Sequence, residues 1–125
     1  MRIETELMRG AGPVAVLKLL ERKEMYGYEL VEELGKRSEG LLEMGQSTLY
    51  PMLYNLEAKK LIASRWQEAD PRPRKYYRLT DKGKKKLVEA TKEWQTIAKA
   101  MGALGVLSGR LLGAESPRLA GGGAA

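Results

Sequence analysis

Two groups of side chains in this sequence have the types and spacing to do chemistry. The first is Gln46-Ser47-Thr48 with Tyr50 and Tyr54. At ~100° per residue, Ser47, Tyr50, Pro51, Tyr54 and Ala58 fall on one side of a helix. A merely solvated face carries Lys and Glu, whereas this one offers hydroxyls and small residues without charge, which can approach a polar surface closely. The second group is Arg72, Arg74, Lys75 and Arg78, cations set among two prolines and two tyrosines. The chemistry that such cations support is neutralisation of phosphate.

Composition removes most other chemistries. The 125 residues contain no cysteine and no histidine. Thiolate or imidazole zinc sites, a cysteine nucleophile and imidazole acid–base catalysis are therefore excluded. No Asp/Glu loop has the spacing of a calcium or magnesium site. No catalytic residue, metal or cofactor is expected, and an enzyme is the weakest functional class. No apolar run approaches the ~18 residues of a membrane helix, and no charged-then-apolar leader opens the chain, so no membrane partner and a cytoplasmic location are expected.

The net charge of +6 is concentrated. Residues 1–62 carry nine Lys/Arg against ten Asp/Glu, residues 63–92 ten against four, and residues 93–125 three against two. A basic excess confined to one quarter of the chain is the footprint of a polyanion binder. Lys84-Lys85-Lys86 alone reads as the solvated start of a helix; the arginines at 72, 74 and 78 do not.

The elements that must position these groups follow from periodicity. Gly10-Ala11-Gly12-Pro13 ends any earlier helix, and a buried helix is expected over 13–22 with Pro13 in its first position. Met25-Tyr26-Gly27 reads as a short turn. A second helix over 27–36 puts Leu30, Val31 and Leu34 on one face, with Lys36-Arg37 at its C-terminal end. After a polar connection at 38–45, a third helix over 46–60 turns Leu49, Met52, Leu53, Leu56 and Lys60 inward. Strands at 61–67 and 74–79 form a hairpin with a basic tip. Tyr77 should share its core face with Leu79, leaving Tyr76 and Arg78 outward, and Trp66 reads as packing beside the hairpin.

Thr80-Asp81 caps a long fourth helix. Along it Leu87, Ala90, Trp94, Ile97, Met101 and Leu104 alternate by three and four, an a/d seam over nearly three heptads. A domain of about 80 residues cannot bury that seam alone, so a homodimer through Leu87, Ile97, Met101 and Leu104 is expected. Gly105, Gly109 and Gly113 recur every four residues and could allow close helix contact, a spacing given little weight beside a glycine-rich tail.

The expected fold class is mainly α with a small α+β wing: a winged helix–turn–helix at 1–79, a C-terminal dimerisation helix at 80–112, and a disordered tail at 113–125. In such a fold the third helix enters the major groove and the wing touches the backbone or minor groove. The expected contacts to promoter DNA are Gln46, Ser47, Thr48, Tyr50, Tyr54, Arg72, Arg74, Lys75 and Arg78.

Four segments in register carry a family resemblance. They are Tyr26-Gly27-Tyr28-Glu29-Leu30; Ser47-Thr48-Leu49-Tyr50-Pro51-Met52-Leu53; Leu56-Glu57 with Leu61-Ile62; and Arg74-Lys75-Tyr76-Tyr77-Arg78-Leu79-Thr80-Asp81-Lys82-Gly83. Over about residues 7–101 the chain resembles the PadR family of bacterial transcriptional regulators. The resemblance implies a winged helix with a dimerisation helix, an inverted-repeat operator of the ATGT/ACAT type, and repression relieved by a small effector.

Within the family the chain resembles the compact, multidrug-responsive branch, where a tryptophan fourteen residues after the wing's last threonine stacks planar aromatic compounds. Trp94 stands fourteen residues after Thr80. The implied effector site is Trp94 with Ala90 and Ala98 one turn away. Thr91 and Ala98 stand where a second aromatic and an acid can occur, a departure that sets aside a preference for cations. Two readings of Trp94 stay open, as seam packing or as a ligand face. The matching functional readings are a ligand-responsive repressor and a DNA-binding regulator with no small effector. A third, a winged helix used for protein contact, does not call for so basic a wing.

Overall fold

The computed structural model describes residues 2–108. The chain divides into a first unit ending at Val88 and a second beginning at Glu89. In order the elements are α1 (Thr5–Leu20), β1 (Met25–Tyr26), α2 (Gly27–Arg37), α3 (Gln46–Ala58), β2 (Ile62–Gln67), β3 (Arg74–Leu79) and α4 (Asp81–Leu104). Three helices and a small antiparallel sheet make the winged helix–turn–helix expected from the sequence, mainly α with a β wing.

The start of α1 departs from expectation. It begins at Thr5 and runs through Gly10-Ala11-Gly12-Pro13 rather than starting after them. Pro13 removes one helical hydrogen bond, and two glycines each cost about 1 kcal/mol of helix propensity. Packing overrides that cost. Gly12 is buried, and a Cβ there would lie 2.6 Å from Cε of Met52 on α3. The glycine lets the two helices approach, and the leucines that follow join Val16 in the core.

In α2, Leu30 and Leu34 are buried while the Glu29 carboxylate accepts the Tyr26 backbone N–H at 3.3 Å. In α3, Leu49, Leu53 and Leu56 enter the same core. The helix stops at Ala58, two residues earlier than expected, and Lys60 is exposed rather than inward. The Lys60 N–H donates to the Glu57 carbonyl and the Leu61 N–H to the Leu56 carbonyl, with Lys60 left-handed at φ 65°. That is the helix-stop geometry usually given to glycine.

The sheet has the order β1-β3-β2, with register running from Ile62↔Leu79 to Gln67↔Arg74. Met25-Tyr26, expected as a turn, instead pairs with Tyr77 and Tyr76 of β3. Met25 is buried, and the sheet satisfies the backbone polar groups that its burial would otherwise strand. The alternation in β3 is as expected: Tyr77 and Leu79 are buried, while Tyr76 and Arg78 lie on the other face.

The Thr80 hydroxyl accepts the Gly83 N–H at 2.9 Å, capping α4, and donates to the carbonyls of Lys60 and Leu61. Leu87 belongs to the core of the first unit. The helix ends at Leu104, where Gly105 adopts φ 90° and the Val106 N–H bonds the Met101 carbonyl at 2.8 Å. The helix expected to reach 112 therefore stops eight residues short of that point. Gly109, Gly113 and the tail expected at 113–125 lie outside the described residues. No described helix is long and apolar enough to cross a membrane.

Candidate nucleic-acid interface

The buried leucines of α3 turn its opposite face to solvent. Gln46, Ser47, Thr48, Tyr50, Pro51, Tyr54 and Ala58 are all exposed, and Tyr54 is 75% so. The first turn has no acidic residue and no side-chain cap; the Thr48 N–H donates to the Gly45 carbonyl at 3.1 Å, which leaves the Gln46 and Ser47 N–H groups to meet an incoming anion. Pro51, the sixth residue of the helix, forgoes the bond to the Ser47 carbonyl on that outer face.

Tyr50 has two roles. A Cβ on Gly27 would lie 2.3 Å from the Tyr50 hydroxyl, so Tyr50 packs across the start of α2 while remaining 42% exposed. Any side chain at position 27 would displace it.

The wing cations are not equivalent. Arg72, at the tip, and Arg78 are exposed. Arg74 is half-buried, with its guanidinium 4.4 Å from the Tyr26 ring centroid. Tyr26 meets Tyr76 edge-on at 5.4 Å. Lys75 is also half-buried, with Nζ 4.0 Å from Oε1 of Glu57. Arg74 and Lys75 thus help hold the wing as well as charge it.

Two residues had no place in the sequence reading of the site. Glu57 accepts the Ser64 hydroxyl at 2.6 Å and faces Lys75, tying the end of α3 to both wing strands. Burial pushes the nearby Tyr77 hydroxyl above its ordinary pKa, with the Glu57 carboxylate and Tyr50 adding to the shift. Arg65 pairs with Glu24 and lies 5.4 Å from the Tyr76 ring centroid. Its partner lies 41 residues away along the chain, so no local pattern points to the pair.

Trp66 is a correction. Read as packing, it is 68% exposed. Burial along β2 fades from Ile62 outward, so the far half of this strand, Trp66 included, lies exposed.

Gln46, Tyr50, Arg72, Arg74 and Lys75 line a cleft of about 520 Å³ between the start of α3, the start of α2 and the wing, whereas Ser47, Thr48, Tyr54 and Arg78 lie outside its lining. Its walls carry Arg72, Arg74 and Lys75, five aromatic side chains and no carboxylate. A larger hollow, about 1000 Å³, is lined by Glu32, Glu33, Glu39 and Glu43, with Lys36 as its cation. Its sign disfavours a polyanion.

In the second unit, Trp94, Ile97, Met101 and Leu104 stand exposed along α4 and Ala98 is half-buried. Ala90 is already buried within the chain, as is Leu87 in the first unit. Both were expected to face a partner or a ligand. Leu87 is instead taken up by the chain's own core, and the open part of the seam begins at Trp94.

Residues 16–89 match the family described as Transcriptional regulator PadR-like family. The chain belongs to it. This makes the PadR-like chain a transcriptional regulator rather than an enzyme. It is 31% identical over 94 residues to the transcriptional regulator Rv3488 of Mycobacterium tuberculosis, covering 75% of this chain and 85% of that one. A PadR family regulator from Eggerthella lenta has a similar structure, with 38% identity, a TM-score of 0.71, and coverage of 79% and 85% of the two chains. Bacillus subtilis PadR, solved in complex with operator DNA, matches at 28% identity and a TM-score of 0.59 over 63% of this chain and 45% of that one.

Proposed function

We propose that the chain binds duplex DNA as a homodimer and represses the promoter it occupies. The observation that carries this reading is the cleft beside α3, lined by three cations, by Gln46 and Tyr50 of α3 and by no carboxylate. The likeness to a PadR protein held on operator DNA supports it. In this reading residues 1–79 form the DNA-binding domain. Gln46, Ser47, Thr48 and Tyr54 meet base edges and phosphates, Tyr50 is shared between DNA and α2, and Arg72, Arg74, Lys75 and Arg78 engage the backbone. Partner contact falls to Ile97, Met101 and Leu104, whose exposure leaves an apolar strip that water does not favour.

Relief by a planar aromatic effector rests on Trp94, 44% exposed on that strip. Two such indoles facing each other would hold a flat ring by stacking, worth about 0.5–1.5 kcal/mol per ring beyond burial. The ligand can shift DNA binding only by its differential affinity for two spacings of the dimer's reading helices. One observation favours the second reading, a DNA-binding regulator without an effector: Ala90, which was to leave room beside Trp94, is already covered.

Gel shifts at several salt concentrations with inverted-repeat and scrambled duplexes test the DNA reading. Salt-sensitive binding that prefers the repeat is expected, and salt-insensitive or absent binding overturns it. Planar dyes should quench Trp94, and Trp94→Ala should lose ligand response while keeping DNA affinity. Equal dye binding by the variant decides for the regulator without an effector.

A further inference from the structure

We propose that Trp66 is a DNA-contact residue, its indole lying against the deoxyribose–phosphate chain of a duplex held in the cleft between wing and α3. The proposal rests on the DNA-binding reading above and adds a contact of a different kind. Strand register puts Trp66 opposite Lys75 and Ser64 opposite Tyr77, so these four side chains share the sheet face that looks toward α3. Toward the base of the hairpin that face is covered, with Ile62, Tyr77 and Leu79 buried. Toward the tip the cover ends, and Trp66 opens into the cleft together with Gln46 and Tyr50 of α3.

An exposed tryptophan alone would carry nothing, since scattered surface apolar residues are ordinary. Here the indole stands in a cleft whose charged members are all cations, so the occupant that fits is a polyanion with apolar surface between its charges. Duplex DNA has that composition, with deoxyribose between phosphates. An indole has one donor, Nε1–H, and a large apolar face, so its contribution is burial against sugar with at most one phosphate bond. Contacts to sugar and phosphate fix position without reading sequence. Trp66 should therefore strengthen binding to all duplexes alike. An apolar contact displaces no counterion, so it should leave the salt dependence unchanged, unlike the loss of an arginine.

The sequence has two tryptophans, which permits a direct test on the intact protein. Incorporation of 5-fluorotryptophan should give two fluorine resonances, assigned by the spectrum of Trp66→Phe. The Trp66 resonance should shift on addition of either an inverted-repeat or a scrambled duplex, in step with the gel shift. Trp66→Ala should bind both duplexes about tenfold more weakly with an unchanged salt slope, and Trp66→Phe should recover most of the loss. A Trp66 resonance that stays in place while the gel shows bound DNA overturns the proposal and leaves the DNA reading intact. So does wild-type affinity in Trp66→Ala. If wild-type protein shifts no duplex, the DNA reading fails and this proposal with it. The resonance arm leaves Trp66 in place, so it decides the matter even where the alanine variant folds poorly.

Discussion

Arg72 and Arg74 are two residues apart, yet their surroundings assign them different consequences. Arg72 is exposed at the wing tip, so Arg72→Ala should leave stability unchanged and lower the slope of log K against log salt by about one unit. Arg74 is stacked on Tyr26, so Arg74→Ala should also cost about 0.5–1 kcal/mol of stability, read by urea unfolding. Tyr77 adds a pH signature. Its hydroxyl is raised by burial, by Glu57 and by Tyr50, so the folded state keeps the proton longer than the unfolded chain. Stability should hold below the unfolded tyrosine value of about 10 and fall as pH rises past it, because the unfolded state releases that proton first. Tyr77→Phe should flatten this decline in unfolding curves. Tyr28, raised mainly by its hydrogen bond to Glu32, is exposed and should contribute little.

At the scale of elements, the junction of α3, β2 and α4 is where one atom matters most. A Cβ at Gly83 would lie 2.0 Å from the Leu61 carbonyl oxygen, which is backbone and cannot turn aside. Gly83→Ala should therefore push the first turn of α4 outward, break the Thr80 cap and cost about 3 kcal/mol. Lys60 is the opposite case. It holds a left-handed conformation at φ 65° with an exposed side chain, so Lys60→Gly should raise stability by about 0.5–1 kcal/mol despite the looser unfolded chain. Thermal unfolding of the two variants should move in opposite directions. Equal effects would mean that the junction does not control how the wing is joined to α3.

For the whole molecule, the proposed homodimer rests on the exposed apolar strip of α4. Ile97 and Met101 belong to the second unit and are exposed. Replacing both with Asp should give a monomer by sedimentation velocity at micromolar concentration, while circular dichroism retains the helical signal. Affinity for a two-half-site operator should collapse, because each monomer then binds one half-site alone. A stable wild-type monomer at the same concentration would overturn the dimer.

Sequence alone determined the parts whose physics is local or periodic. The inward leucines of α3 and its uncharged outer face follow from the helical period, and the pairing of Tyr77 with Leu79 follows from strand alternation. The Thr80 cap and the basic hairpin tip were legible for the same reason. Tertiary structure decided what depends on a distant partner. The helix runs through Gly12, which is buried against the Met52 side chain of another element, a contact that no local period reveals. Met25-Tyr26 is a strand because β3 arrives beside it, and two residues carry no period to reveal that. Trp66 is exposed because burial along β2 fades from Ile62 outward, which strand alternation does not reveal. Arg74 and Lys75 read as free cations in the sequence. Tyr26 and Glu57, brought close only by folding, make them part of the frame that presents the site.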